Sequence, residues 1–397
     1  LAARLLASGM LRPQKLLAEL KKSKSIYKNE DKINIVKDGK NTKATYYEHI
    51  HRLMYIAALD GEGGEILKHL TFISNKGINK RLFARWLNLQ NLNNMNLLLE
   101  YGLIQENEFY KIFLHPLIKE ITIDDKKPGI ENCKTFIENM HGEYLLHGID
   151  LPYYKTMFEV TENIICIADK DDIEIYKAFI KDAFAYMEKY AYKNGMSLII
   201  SELEQYSESV DDTALILDYK SAYEHIINGN MQKSAEYEMQ AVNLCDSLTN
   251  PHLKANIYAN MGGLYHAEGE LLKAKEFMEK AYRILAENNL QYTADSVTQI
   301  CNYASLAANM GEPQKAIQAL EKCAEHIIPN TIMHAELLEN IGLIYLQMND
   351  TDRAKGKLTQ ALNIYSEVWE GSPELTEQKI SEIKEQIFLL DNSITEN

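Results

Sequence analysis

The 397 residues carry 42 Lys and Arg against 57 Asp and Glu, a net charge of −15, with 46% apolar and 25% charged residues. That balance belongs to an ordinary globular chain with room for two or three domains, and no apolar run approaches the roughly 20 residues that cross a bilayer as a helix. Five widely spaced cysteines (Cys133, Cys166, Cys245, Cys301, Cys323) exclude a disulfide framework and a Cys-rich metal site, and read as the reduced thiols of a cytoplasmic protein.

The charge is unevenly placed. Residues 1–127 hold 21 basic against 14 acidic side chains, residues 128–210 hold 7 against 15, and residues 211–397 hold 14 against 28. A basic head on an acidic body meets either a nucleic acid or its own body.

In chain order, residues 1–20 and 45–59 read as helices around a polar loop rich in Lys, Asn and Asp. The opening lacks both an initiator Met and the charged start of a signal peptide, so the expectation is the interior of a longer protein. The stretch Asp60-Gly61-Glu62-Gly63-Gly64-Glu65 is glycine-rich but acidic, which repels phosphate, and reads as a turn between helices. Helices are expected over 65–73, 79–87 and 93–101, the last stopped by Gly102. Two strands, 103–105 and 110–114, then flank the turn Glu106-Asn107-Glu108. Three helices and a hairpin are the order of a winged helix. The run Asp124-Asp125-Lys126-Lys127-Pro128-Gly129 reads as a linker. Residues 130–207 read as further helix pairs, including apolar helical spacing over 176–192 and 196–203.

The remainder repeats. Tyr258, Gly262, Tyr265, Gly269, Ala274, Met278 and Ala281 share their spacing with Leu338, Gly342, Tyr345, Asn349, Ala354, Leu358 and Ala361. Between them lie Ile300, Ala304, Ala307, Gly311, Ala316, Leu320 and Cys323, and a weaker copy ahead has Ala222, Gly229, Ser234 and Ala241 in phase. Numbering each copy from 1, these are phases 4, 8, 11, 15, 20, 24 and 27 of a tetratricopeptide repeat. Small residues at 8 and 20 let two helices approach closely, and a turn residue at 15 joins them. Successive copies are 40, 42 and 38 residues apart, against about 34 in the standard repeat. Longer helices, as in kinesin-light-chain repeats, are therefore expected. Ser372-Pro373 opens a final helix over 374–390.

Three stretches resemble the rear part of NB-ARC-type signalling ATPases of the STAND class: 77–86 (Gly-Ile-Asn-Lys-Arg-Leu-Phe-Ala-Arg-Trp), 98–104 and 114–118 (Leu-His-Pro-Leu-Ile). Residues 1–6 look like the helix after that family's Gly-x-Pro motif. The resemblance implies a winged-helix domain followed by a tetratricopeptide sensor. It also implies that His115 falls where the family's Met-His-Asp histidine contacts the phosphate of ADP, although Leu114 and Pro116 replace its neighbours. On the residues alone, His115 caps a wing strand.

No G-x-x-x-x-G-K-[ST], His-Glu-x-x-His, Cys-x-x-Cys or serine elbow occurs, so no catalytic residue, metal ligand or cofactor is assigned. ADP or ATP is expected only if an ATPase module precedes residue 1. His49 and His51, two apart, point to different faces of a helix and read as solvent-facing. The third head helix carries asparagines but no Lys or Arg, whereas Lys80, Arg81 and Arg85 sit on the second. Docking on an acidic neighbour is preferred to reading DNA.

Phase 6 of three successive first helices is Asn260, Asn302 and Asn340. An amide offers both donor and acceptor, so a row of them can hold the backbone of an extended peptide; the alternative is bonding to the neighbouring helix. His266, Asn309, Glu339 and Gln347 flank the row, and with no basic side chain there a neutral or basic partner is expected.

The expected chain is mainly α. It comprises a helical segment (1–60), a winged-helix head with a small hairpin (61–127), degenerate repeats (128–210), an α-α superhelix of tetratricopeptide repeats (211–373), and a capping helix with tail (374–397). The expected function is the non-catalytic sensor half of a STAND ATPase, with a peptide or protein in the groove and the basic head docked on the acidic repeats. The alternatives are a tetratricopeptide adaptor and a winged-helix transcription regulator.

Overall fold

In the computed structural model the described residues are 61–147, 154–293, 296–368 and 380–388, with the strands Val36–Lys37 (β1) and Lys40–Asn41 (β2) and a few single positions ahead of residue 61. The helices expected over 1–20 and 45–59, with His49 and His51, lie outside them, as does the start of the helix at Ser372-Pro373. Contacts divide the chain into two units, residues 1–142 with 153–179, and residues 143–152 with 180–397.

In the first unit, helix α1 spans Glu62–Leu70. The acidic glycine stretch is thus the first turn of a helix rather than a turn between helices. Glu62 and Glu65 favour the positive end of its dipole, and Glu62 accepts a hydrogen bond from Asn94. A two-residue strand follows, Ile78–Asn79 (β3), which its length hides in the sequence. Gly77 precedes it with φ of 75°, and a Cβ there would lie 2.9 Å from the Lys111 Cβ and 3.0 Å from the Ile112 carbonyl oxygen. Asn79 then caps helix α2 (Lys80–Trp86) by accepting from the amides of Arg81 and Leu82. Helix α3 (Asn93–Tyr101) ends on left-handed Gly102. Strands β4 (Ile104–Glu106) and β5 (Lys111–Leu114) close over Asn107, whose side-chain oxygen accepts from the Phe109 and Lys111 amides at 3.0 Å each. The sheet is antiparallel in the order β3-β5-β4, with Ile78 opposite Ile112 and Ile104 opposite Leu114.

Helix α4 (Pro116–Lys126) runs through the acidic part of the expected linker and stops at Lys127, left-handed at φ 43°. Pro128 and Gly129 do not hang free: the Asp169 amide donates to the Pro128 carbonyl and the Ile130 amide to the Asp169 carbonyl. Helices α5 (Lys134–His147) and α6 (Tyr154–Ile167) then supply what three short helices and a narrow sheet lack. Phe136 fills the space among His69, Phe72, Phe83 and Trp86, with ring centroids 5.0–6.3 Å apart. The Asn139 amide group donates to the Trp86 carbonyl, and that of Asn163 to the Phe72 carbonyl, both at 2.9 Å.

Helix α7 (Ile173–Lys189) begins in the first unit and ends in the second. Helix α8 (Lys193–Gln205) leads to four helix pairs: α9 (Val210–Ile226) with α10 (Met231–Leu244), α11 (Pro251–Ala267) with α12 (Leu271–Glu287), α13 (Val297–Asn309) with α14 (Pro313–Ala324), and α15 (Ile332–Gln347) with α16 (Thr351–Val368). The pairing follows the small residues. A Cβ on Gly262 would come within 2.7 Å of the Met278 side chain, and one on Gly342 within 2.8 Å of Leu358. Ala274, Ala304, Ala316, Ala354 and Ala361 are fully or almost fully buried. Phase 15 is left-handed in all four copies, at Gly229, Gly269, Gly311 and Asn349 (φ 62°, 79°, 84° and 58°), where only glycine or asparagine is comfortable. The extra length per repeat is spent in two ways. α11 and α12 have 17 residues each, whereas α13 and α14 have 13 and 12 and longer connections around them. Residues 380–388 form a last helix that buries Ile383 against the core of the final pairs.

The architecture is therefore mainly helical, a tetratricopeptide-like solenoid preceded in the chain by a small open sheet of three strands. Among the described residues no helix is long and apolar enough to cross a membrane.

Candidate functional site: the inner face of the repeats

Each first helix of a pair packs against the first helix of the next copy, α9 on α11, α11 on α13 and α13 on α15, while successive second helices meet far less. The first helices therefore line the inside of the curve.

Two rows of polar side chains cross them. In the outer row, the His266 ring nitrogen Nε2 lies 3.4 Å from Asn309 Nδ2, and Gln347 Nε2 donates to Asn309 Oδ1 at 3.4 Å. Three of the four flanking residues picked from the sequence are thus joined into one cross-helix ladder.

The other row contains the phase 6 asparagines, and they differ from one another. Asn260 is exposed, but its Nδ2 donates to Asp218 Oδ1 at 2.8 Å. Asn340 donates to the Glu336 carbonyl at 2.8 Å and to Cys301 Sγ at 3.6 Å. Asn302 is exposed and makes no side-chain hydrogen bond among the described residues. The amide groups at both ends of the row are thus held by protein, their carbonyl oxygens accepting no hydrogen bond among the described residues, while the middle asparagine offers donor and acceptor. Glu339, flanking the row, is buried and accepts from the Tyr365 hydroxyl at 3.0 Å.

Beneath the row lies a cluster not picked out from the sequence. Asp218 on α9 is 4% exposed and accepts from Asn260 and, at 3.1 Å through its other oxygen, from Asn256. Asn256 in turn accepts from Gln299 Nε2 at 2.9 Å, which ties α9, α11 and α13 together. Glu238 on α10 is 1% exposed and hydrogen-bonds Asp218; its Oε1 meets no partner among the described residues. Burial pushes both carboxyls up, Glu238 furthest, and the hydrogen bonds from Asn260, Glu238 and Asn256 pull Asp218 back. The hydrogen bond between the two carboxyls requires a proton, and with both its oxygens accepting from amides Asp218 is the favoured acceptor and Glu238 the favoured holder. Burial, with the Asp218 charge nearby, also raises Glu188 on α7 to about 7. A signal for this pair was present in the alignment. Asp218 and Glu238 occupy phases 4 and 24, which the other copies fill with Tyr258 and Met278, Ile300 and Leu320, Leu338 and Leu358. The first copy has exchanged an apolar core contact for a carboxyl pair.

In the first unit His115 is exposed and caps α4, its Nδ1 accepting from the Leu117 amide at 3.2 Å with Pro116 in the first turn. Of the basic residues on α2, Lys80 pairs with Glu106 at 2.9 Å. Among the described residues no group of three or more His, Cys, Asp or Glu is placed to hold a metal ion.

Two family models described as tetratricopeptide repeat match residues 255–286 and 296–367. Both matches start within a residue of phase 1 of a copy. No curated protein matches the chain. Among solved structures, BtubC (BKLC) from P. vanneervenii is 21% identical with a TM-score of 0.45, covering 51% of this chain and 83% of that one. A Rap protein complexed with Competence and Sporulation Factor is 12% identical with a TM-score of 0.40, covering 83% and 99%. A STAND protein with a tetratricopeptide repeat sensor from Pyrococcus horikoshii is 12% identical with a TM-score of 0.36, covering 97% and 74%. Likenesses this distant carry no function across. What the repeat phases, the helix pairs and the matched models agree on is that residues 255–286 and 296–367 form tetratricopeptide repeats within a longer helical solenoid.

Proposed function

We propose that this chain is a peptide- or protein-binding module that holds its partner in extended form along the inner face of the repeats. The observation that carries this reading is the amide row at one phase of three successive helices. Asn302, exposed and unengaged at its centre, can pair with both groups of a peptide unit, and the free carbonyl oxygens of Asn260 and Asn340 continue the row. The test is selection of random nine-residue peptides displayed on phage against the whole chain. Peptides that bind are expected to lose about tenfold in affinity on Asn302→Ala, the worth of roughly one good hydrogen bond in a desolvated groove. Unchanged affinity in Asn302→Ala and in Asn260→Ala would move the site off this face.

A second reading, the sensor half of a STAND ATPase, is supported by the resemblance over residues 77–118 and by the helix–strand–helix–helix–strand–strand order of the first unit, which is that of a winged helix. In that reading the basic head docks on the acidic repeats and ligand shifts the docking, which demands different affinity for the two arrangements. His115, whose Nδ1 serves the α4 cap, would turn Nε2 to the phosphate of ADP. Sequencing the locus upstream of Leu1 tests it: an in-frame P-loop followed by Gly-x-Pro supports it, and a start codon adjoining Leu1 sinks it.

A further inference from the structure

The carboxyl pair under the first copy gives the inner face a charge, and with it a preference. Asp218 is buried and accepts hydrogen bonds from two amides, yet it makes no ion pair among the described residues. The lysines of this region are engaged elsewhere: Lys181 with Asp212 at 3.5 Å, Lys220 with Glu204 at 2.6 Å, and Lys233 with Glu224 at 2.5 Å. The groups near the pair add little positive charge. On α7 they are Glu188, Asp182, Lys181 and Lys189, and on α9 Asp212 and Tyr219; α11 contributes the amides of Asn256 and Asn260, and beyond Cys245, which faces Glu238, stand Tyr258 and Lys254, the latter paired with Asp246 at 3.9 Å. A buried carboxylate without a cation is costly, and three copies of this repeat show that the two positions accept an apolar pair. Glu238 Oε1, 1% exposed in residue terms and unpartnered, marks the same site as incompletely satisfied. Of the two amides that donate to Asp218, Asn256 is half-buried and Asn260 is exposed, so Asn260 is the one that faces the groove most openly. Its amide group is held on Asp218, so its exposed carbonyl oxygen is polarised as an acceptor.

We propose that the inner face selects a partner bearing a lysine or arginine, whose cation sits on the Asn260 carbonyl oxygen and completes the charge of Asp218. This rests on the groove reading above and adds the chemistry of the partner. The cation supplies donors only, matching the end of the row where only an acceptor is free. A charge separated from Asp218 by one amide contributes on the order of tenfold in affinity at the effective dielectric of a protein surface.

The experiment uses the random nine-residue pool on the whole chain and counts Lys and Arg at each aligned position. A basic residue is expected at one position in peptides selected on the wild type. That preference should vanish from the pool selected on Asp218→Asn, which still selects peptides. A wild-type peptide remade with a neutral residue at that position should bind the wild type about tenfold more weakly and bind Asp218→Asn no differently. Because Asp218→Asn can disturb the fold, a second measurement uses the wild type alone. Affinity for the Lys- or Arg-bearing peptide should rise as pH passes up through about 7, where Glu188 beside Asp218 loses its proton, and affinity for its neutral counterpart should not. Groove-dependent peptides without the basic position would overturn this inference and leave the groove reading standing. A basic preference spread over all positions and retained in Asp218→Asn would assign it to the general acidity of the chain, again overturning it. If no selected peptide responds to Asn302→Ala, the groove reading fails and this one with it.

Discussion

Replacing Asp218 and Glu238 together by the apolar pair of a neighbouring copy should stabilise the repeats. In Asp218→Ile with Glu238→Leu, the phases 4 and 24 take the residues found at Ile300 and Leu320. The wild-type pair is almost fully buried, at 4% and 1% exposure, and makes no ion pair among the described residues. Exchanging buried charged groups for apolar residues of similar volume is neutral or stabilising by about 1–4 kcal/mol. Against this stand two amide donors, Asn256 and Asn260, that lose their acceptor. Asn260 is exposed and turns to water, so that loss is held to about 1 kcal/mol. A net gain of roughly 1–3 kcal/mol at pH 8 follows. The gain has a sign in pH. Glu188 and the pair have folded values raised above their unfolded ones, so their favourable contribution is complete below the unfolded carboxylate range, near 4.5, and is lost as pH rises through about 7 for Glu188. The double variant should therefore gain most over wild type at pH 8 and least at pH 4.5. Urea titrations followed by far-ultraviolet circular dichroism at both pH values would measure this. A double variant less stable than wild type at pH 8, with an unchanged denaturant slope, would refute the argument that the pair costs stability and exists for another purpose.

The first unit should show the opposite pH dependence. His69 and His141 are held down to about 4 by burial, so they fold neutral, and their contribution is present above about 6.5 and lost as pH falls through 4. At roughly 1.4 kcal/mol per unit, each removes up to about 3 kcal/mol by pH 4, and fluorescence of the buried Trp86 should report unfolding there before the repeats lose helix. His141→Phe, which keeps the stack on Phe179 at 5.1 Å, should shift that acid midpoint down; no shift would mean that protonation of His141 does not drive the acid transition. Gly342→Val should lower stability by about 1–3 kcal/mol through overpacking against Leu358, and a thermal melt equal to wild type would show that the pair α15–α16 opens freely. Gly311→Ala meets nothing within 4 Å, so its cost of about 1 kcal/mol comes from the left-handed backbone alone. Asn349→Gly, at the same phase, should be neutral or slightly stabilising in the same melt.

What the sequence by itself determined was the periodic part. Small residues at phases 8, 20 and 27 and a turn residue at phase 15 are local requirements of two helices in close contact. Gly262, Ala274, Gly311 and Asn349 could therefore be placed in their roles without coordinates. The asparagines of phase 6 were legible as a row for the same reason, as was the helix Asn93–Tyr101 with its glycine stop. Only the tertiary structure decided the rest, because it depends on residues far apart in the chain. Strand Ile78–Asn79 is two residues long and exists because β5 pairs with it. Phe136 and Asn139 join the head core because Phe72, Phe83 and Trp86 need a cover that their own neighbours do not provide. Which asparagines are held and which are free was settled by their neighbours on the adjoining helix, Asp218 for Asn260 and Cys301 for Asn340. The carboxyl pair itself was visible as two wrong residues at core phases. That they meet, twenty residues apart, and hydrogen-bond each other under an exposed amide is a property of the packed helices alone.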